Sequence, residues 1–269
     1  MGQTIHIAYT ANLNCTLESC KCGDDLGGIP RLAYLLDSLR REHPDLILLD
    51  SGDFLSSYIL TESNRLMAEL VSDLNYDVIA VGDQEYVEGM PFLQHITTRY
   101  HLPLISATIR DKERDSLMFP AYKIVHRRDI TVGIIGVVFK EAFDFISPKE
   151  IRIEPVGEVL SKLVSQVKSR STILILLLHS SYRIGLELAK RFPEIAVIIA
   201  GHSQEKASIQ NGNQIVVQPG SDGEYLGFLE ISFKNGKFDF KNSTLPVGAG
   251  LGENPLCRSK IDAFYRKLK

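Results

Sequence analysis

Polar side chains with ligand chemistry follow five apolar, strand-like segments of this sequence. In an open α/β sheet, the residues just beyond the carboxyl ends of the strands meet in one crevice. The residues that follow the five segments are, in chain order, Asn12 and Asn14; Asp50, Ser51, Gly52 and Asp53; Gly82, Asp83, Gln84 and Glu85; His179; and Gly201, His202, Ser203 and Gln204. The sequence therefore predicts a single polar site.

Two carboxylates and two imidazoles stand out within this set, namely Asp53, Asp83, His179 and His202. Taken one at a time, each has an ordinary structural interpretation, because Gly-Asp after a strand is commonly a turn and a histidine can simply end a strand. Taken together, they form a ligand set that suits zinc, manganese or iron. We therefore expect a metal site at the strand ends.

The elements that position these residues alternate between short apolar runs and helical periodicity. Apolar residues at three- and four-residue steps after Gly28 predict a helix that ends near His43, since the residue before a proline avoids the helical region. Further helices are predicted over about 62–74 and around 184–189. Strands are predicted over 5–9, 46–49, 78–81, 104–106, 131–138, 172–178, 195–200, 215–217, 226–233 and 237–239.

The pattern indicates an α/β domain with mixed sheets flanked by helices. Asn235-Gly236 between alternating runs predicts a hairpin turn. We expect one domain over 1–245, followed by a tail over 246–269 whose amphipathic helix packs on it.

Composition excludes several classes of protein. The chain has 269 residues, 44% of them hydrophobic, and a net charge of -3, so no basic excess is available to bind a nucleic-acid duplex. Its apolar runs are too short to span a bilayer. Apolar Ile5–Ala8 is too short for a signal peptide and no basic segment precedes it. The compartment stays open between the cytoplasm and export with the signal removed.

The order of these motifs resembles the calcineurin-like metallophosphoesterase superfamily, and most of all the catalytic domain of bacterial 5′-nucleotidases. The resemblance runs from Ile5 to about Phe233. It rests on Gly27-Gly28, 48–53, 75–78, 81–85, 103–107, 132–136, 218–220 and 225–227. It implies a four-layer α/β/β/α sandwich and a site for two adjacent metal ions.

Several positions depart from the pattern of that family. The resemblance implies an aspartate and a histidine for the first ion where this chain has Asn12 and Asn14, and a further histidine where it has Gln204. Asp53 matches the carboxylate that bridges both ions. Asp83 replaces an asparagine ligand and Gln84 replaces the catalytic histidine, whereas the ligands His179 and His202 match the family.

The departures predict one divalent ion per chain (Mn, Zn or Fe), held by Asp53, Asp83, His179 and His202. A second ion is not expected unless the neighbouring cysteine loop supplies ligands. Catalysis is assigned to Asp53, Asp83 and the substituted Gln84, and Glu85 is expected to support a neighbouring loop or ligand. The predicted function is a metal-dependent phosphoester hydrolase of weakened or redirected activity, acting on a small phosphorylated molecule. The alternative is a non-catalytic metal- or thiol-based binding protein with a protein partner.

Three cysteines, Cys15, Cys20 and Cys22, lie in the loop after Asn14. Three interpretations stay open: a disulfide, a soft-metal site, or redox chemistry. Since a bridge within Cys20-Lys21-Cys22 would close a small strained ring, the easier bridge joins Cys15 to one of the other two.

Overall fold

Two six-stranded β-sheets packed face to face form the centre of the protein. The computed structural model describes residues 3–20, 23–234 and 236–268. The first sheet has the order β14-β13-β1-β2-β3-β4. Its strands are β1 (Gln3–Thr10), β2 (Ile47–Asp50), β3 (Val78–Ala80), β4 (Leu104–Ile105), β13 (Tyr225–Lys234) and β14 (Lys237–Pro246). β1 to β4 are parallel, and β13 and β14 extend the sheet as an antiparallel pair.

The second sheet has the order β11-β12-β10-β9-β7-β6. Its strands are β6 (Tyr122–Arg127), β7 (Ile130–Val138), β9 (Ile173–His179), β10 (Val197–Ala200), β11 (Lys206–Asn211) and β12 (Gln214–Pro219). The four central strands are parallel, and an antiparallel strand lies at each edge. A short separate pair joins β5 (Ile109–Asp111) to β8 (Ile151–Ile153).

Among the described residues, six α-helices lie on the outer sides of the two sheets. They are α1 (Ile29–Glu42), α2 (Thr61–Asp73), α3 (Met90–Tyr100), α4 (Val156–Lys168), α5 (Tyr182–Arg191) and α6 (Pro255–Lys267). Helices α1, α2 and α3 pack on the first sheet, α6 packs on α1 and α2, and α4 and α5 pack on the second sheet. The predicted α/β/β/α architecture is confirmed. Within the described ranges, no helix is long and apolar enough to cross a membrane.

Strand alternation explains the three apolar cores. In β1, Ile5, Ile7 and Tyr9 point into the core between the sheets, whereas Ala8 points into the core beneath the helices. The central parallel strands are covered on both faces, so β2 and β9 consist almost entirely of apolar residues. We expected a terminal helix that packs on the domain. Helix α6 contacts α1 and α2 and buries its own side chains Cys257 and Ile261 against them.

The hairpin expected near 235–236 is present as the antiparallel pair β13–β14, in which Lys234 lies opposite Lys237. Asn235 lies outside the described residues. The left-handed φ of 77° at Gly236 suits a tight turn.

Gly227 of β13 has its side-chain space filled by an aromatic ring. It lies opposite Tyr9 of β1, whose fully buried ring covers it while the hydroxyl donates a hydrogen bond to Asn242 Oδ1 (2.8 Å). A Cβ atom at position 227 would overlap the Tyr9 ring. The glycine therefore permits the close approach of the ring to the backbone.

We expect Gly227→Ala to lower the free energy of unfolding by about 2 kcal/mol, because an added methyl group forces the ring out of its rotamer and breaks its packing. Urea unfolding measures the change. Gly250→Ala is the matched control, since a Cβ there has no heavy atom within 4 Å. Equal stability of the two variants would show that the ring moves aside without cost.

Candidate metal centre

Four of the sequence-predicted side chains meet at the carboxyl ends of strands from both sheets. Asp53 follows β2, Asp83 follows β3, His179 ends β9 and His202 follows β10. One ligand atom from each side chain lies within 4.8 Å of the corresponding atoms of the other three. The cluster therefore joins the two sheets at one end of the domain.

Two glycines leave the space that this convergence needs. A Cβ at Gly52 would lie 2.7 Å from His179 Nδ1, and a Cβ at Gly82 would lie 2.7 Å from His179 Cε1. Gly52 also has a φ of 95°, and Asp53 a φ of 63°. The Gly-Asp pairs are thus part of the site, because the His179 ring packs directly against both glycines.

The fully buried His179 has a fixed ring orientation. Its Nδ1 lies 2.7 Å from the carbonyl oxygen of Ser51, which can only accept, so Nδ1 carries a hydrogen. Nε2 then faces the carboxylates, 3.3 Å from Asp53 Oδ1 and 3.2 Å from Asp83 Oδ1. A main-chain carbonyl that fixes the ring in this way is typical of metal-binding histidines.

His179 and Asp83 stabilise each other's charged forms. Burial alone would lower the pKa of His179, but Asp53 and Asp83 outweigh it and raise that pKa well above its ordinary value. Burial alone would raise the pKa of Asp83, but the polar contacts with His179 and His202 lower it to about 2. The Asp83 carboxyl is therefore ionised at neutral pH and ready to bind a cation.

His202 presents a buried nitrogen without a hydrogen-bond partner among the described residues. Its Nδ1 is 3.3 Å from Asp83 Oδ1 but makes no hydrogen bond of acceptable geometry. The ring stands edge-on to that of His179, with centroids 5.1 Å apart. The two carboxylates and two imidazoles fit a divalent metal ion, which would give the His202 nitrogen the partner that it lacks among the described residues.

Glu85 ties together the two loops that carry the aspartates. Its fully buried carboxylate accepts main-chain hydrogen bonds from Gly82 (2.6 Å), Asp53 (3.1 Å), Phe54 (2.9 Å) and Leu55 (3.4 Å). Burial, and then the charge of Asp53, raises the pKa of Glu85, whereas His179 and the main-chain hydrogen bonds lower it and favour the carboxylate. Glu85 thereby fixes the backbone that positions both aspartates.

Asn12 binds backbone atoms of two other loops. Its fully buried amide accepts from the His202 main-chain nitrogen (2.7 Å) and donates to the Gly220 carbonyl (3.1 Å). Gln204, in contrast, is exposed, with a φ of 58°.

Asn14 and Gln84 belong to a chain of side-chain hydrogen bonds. Gln84 Nε2 donates to Asn14 Oδ1 (3.2 Å), and Asn14 Nδ2 donates to Asp222 Oδ1 (3.0 Å). The sequence analysis did not identify Asp222. Its signal is the Gly-Ser-Asp-Gly segment after the strand that ends at Pro219, which is typical of a turn but says nothing about its partners.

The cysteine loop differs from the expectation. Cys15 is a free thiol, so the bridge expected for it is wrong. It is partly buried against the core beneath the helices, where burial raises its pKa to about 12. Cys20 is disulfide-bonded, and Cys22 lies outside the described residues. The metal cluster found among the described residues contains no cysteine.

We expect Glu85→Gln to lower the free energy of unfolding by about 3 kcal/mol, since the amide –NH2 would face main-chain N–H groups and leave buried donors without acceptors. Denaturant unfolding measures this loss. Glu62→Gln is the control, because the ion pair of Glu62 with Arg65 is exposed and contributes little. A loss below about 1 kcal/mol for Glu85→Gln would contradict the role given to this carboxylate.

Comparison with known proteins finds similarity both in sequence and in fold. The 5′-nucleotidase of Bos taurus is 26% identical over 305 residues, covering 97% of this chain and 52% of that protein. Solved structures with the same fold include a 5′-nucleotidase precursor from Thermus thermophilus (TM-score 0.89, 21% identity, 99% of this chain and 59% of that one). Another is the calcineurin-like phosphoesterase YfkN from Bacillus subtilis (TM-score 0.81, 17% identity, 99% and 98%).

No family model matches the chain. The chain spans about half the length of the curated relatives that it matches. Both the sequence matches and the fold matches nevertheless cover nearly all residues of this chain. The chain is a homologue of the 5′-nucleotidases and has the fold of the calcineurin-like phosphoesterases.

Proposed function

We propose that this protein is a metal-dependent phosphoester hydrolase whose activity depends on one divalent ion. The observation that carries the proposal is the convergence of Asp53, Asp83, His179 and His202, whose ligand atoms lie within 4.8 Å of one another. Two carboxylates balance the charge of a divalent ion, and His179 gives up its Nε2 proton when the ion binds. Their mixture of oxygen and nitrogen donors suits Mn²⁺, Zn²⁺ or Fe²⁺.

The hydrogen bonds of Asn12 and Asn14 support a single ion. Both oxygens of these amides already accept hydrogen bonds, from the His202 main chain and from Gln84. Neutral amides bind cations far more weakly than carboxylates, and Gln204 is exposed. Two of the amides at the positions that the family resemblance assigns to a first ion, those of Asn12 and Asn14, are therefore engaged in protein hydrogen bonds.

When bound, the ion supplies a Lewis acid that lowers the pKa of a water molecule and polarises the phosphoryl group. Asp53 and Asp83 supply the anionic ligands, and the ring of His179 is locked by the carbonyl of Ser51. Gln84 occupies the position of the family acid, but an amide cannot give a proton to a leaving alkoxide. Hydrolysis is therefore slow, or restricted to esters with good leaving groups.

A small phosphorylated molecule is the substrate class that fits this site. The relatives are named 5′-nucleotidases, which makes a nucleotide the first candidate. Because the chain covers only about half of those proteins, the whole activity of the relatives does not transfer with the fold.

A second candidate function is metal-dependent binding without turnover. The observation that favours it is the substitution at Gln84, whose amide is hydrogen-bonded to Asn14 and lacks an acidic proton. Such a protein would keep the cation and a ligand or protein partner on the inherited fold. A thiol-based version receives no support from Cys15, whose pKa is raised by burial.

We expect the protein to bind one Mn²⁺ per chain, measured by elemental analysis after removal of excess metal. Asp83→Ala should weaken binding at least thirtyfold, because it removes the carboxylate closest to both imidazoles. Exposed Asp239→Asn is the control and should bind like the wild type. Two tightly held ions in the wild-type protein would refute the single-ion site.

We expect hydrolysis of p-nitrophenyl phosphate to rise with added Mn²⁺ and to fall at least a hundredfold in Asp53→Asn, since this change removes a ligand charge. Gln84→His should raise the rate for an alkyl phosphate such as glycerol phosphate at least tenfold by restoring a proton donor for the alkoxide, and should change the rate for p-nitrophenyl phosphate little, because nitrophenolate leaves without a proton. Steady-state assays of the variants, with Asp239→Asn as control, measure both effects. One bound ion without turnover in Mn²⁺, Zn²⁺ or Fe²⁺ would favour the binding function.

A further inference from the structure

The side chain of Gln84 has a buried acceptor that no described residue satisfies. Only 8% of the residue is exposed, and its Oε1 is buried without a hydrogen-bond partner among the described residues. Its main-chain nitrogen donates to Asp53 Oδ1 (3.0 Å), while its side-chain nitrogen reaches Asn14. The orphaned oxygen therefore belongs to a residue whose backbone contacts Asp53, one of the four candidate ligands. A buried acceptor costs free energy unless a donor reaches it.

The orientation of this amide follows from its partners. Asp222 is an acceptor that receives Asn14 Nδ2 (3.0 Å), Thr16 Oγ1 (3.1 Å) and Ser221 Oγ (2.6 Å). Since Asn14 must turn its –NH2 toward the carboxylate, its Oδ1 faces Gln84. Gln84 must then turn its own –NH2 toward Asn14. The chain of bonds leaves Oε1, and no other atom, as the free acceptor of this amide.

The backbone holds the chain of hydrogen bonds in place. The main-chain nitrogen of Asp222 donates to the carbonyl oxygen of Asn12 (2.7 Å), and that of Asn14 donates to the carbonyl oxygen of Asp53 (2.9 Å). The loops after β1 and β12 are therefore joined to the loop that carries Asp53. The acceptor polarity at Gln84 is set by the protein before any ligand arrives.

We propose that Gln84 Oε1 binds the O–H group of a protonated oxyanion held at the metal cluster, and that Asn14 and Asp222 are positioning residues that fix this polarity. The inference rests on the proposed function, since it places the oxyanion at that site. A site with a buried acceptor discriminates strongly against an analogue that lacks the matching donor. Position 84 thus selects the ligand by its O–H group.

Hydrogen phosphate and monofluorophosphate test this directly. At about pH 8 both are dianions of similar shape, but only hydrogen phosphate has an O–H group. With Mn²⁺ bound, calorimetry should show that the wild-type protein binds hydrogen phosphate at least tenfold more tightly. The ratio of the affinity for hydrogen phosphate to the affinity for monofluorophosphate should fall below threefold in Gln84→Met. This variant keeps the length of the side chain and loses the acceptor.

Asn14→Gly tests the positioning role, because glycine accepts the φ of 50° at this position while the link between Asp222 and Gln84 is lost. The ratio should again fall below threefold, a change that a merely structural role would not produce. The exposed Gln94→Met is the matched control and should keep the wild-type ratio.

Equal affinity for the two anions in the wild-type protein, or no binding of either to the Mn²⁺-loaded protein, would overturn the inference and leave the metal site intact. A wild-type ratio that survives Gln84→Met would exclude Gln84 as the acceptor, and one that survives Asn14→Gly would exclude the positioning role. Failure to bind Mn²⁺ would contradict the proposed function and the inference together.

Discussion

The packing of one imidazole between two glycines organises this molecule. His179 ends a strand of the second sheet, yet its ring lies against Gly52 and Gly82 of the first and donates to the carbonyl of Ser51. A side chain at either glycine would push the ring away. The edge where the two sheets meet, the convergence of the four candidate ligands and the orientation of His179 Nε2 all depend on this contact.

Around this contact, the protein satisfies backbone groups with buried side-chain acceptors. Glu85 receives four main-chain N–H groups from the two aspartate loops. Asp50 similarly accepts from the main chain of Gly52 and from Thr10 Oγ1, and burial raises its pKa to about 6. Loops that present ligands are held by such bonds, because an irregular backbone lacks the regular backbone hydrogen bonds of a helix or a sheet.

The two halves of the site have different chemistry. On one side, carboxylates and imidazoles concentrate charge and leave the Nδ1 atom of His202 without a partner among the described residues. On the other, the amides of Asn12, Asn14 and Gln84 bind protein groups. An amide both donates and accepts, so one amide can join two loops. The same property gives each amide a fixed direction once its neighbours are fixed.

The sequence by itself indicated an α/β domain of sheets flanked by helices, and its resemblance to the calcineurin-like metallophosphoesterases implied the four layers. It also predicted that Asp53, Asp83, His179 and His202 meet, since residues that follow parallel strands lie at one edge of the sheet. It did not predict helices α3 and α4. The buried face of α4 is built mainly from valines, whose branched side chains weaken the helical signal. Nor did it identify Asp222 or the free thiol of Cys15. Only the tertiary structure decided these, because the partner of Asn14 lies 208 residues along the chain and the pairing of a cysteine depends on where the folded backbone places its thiol.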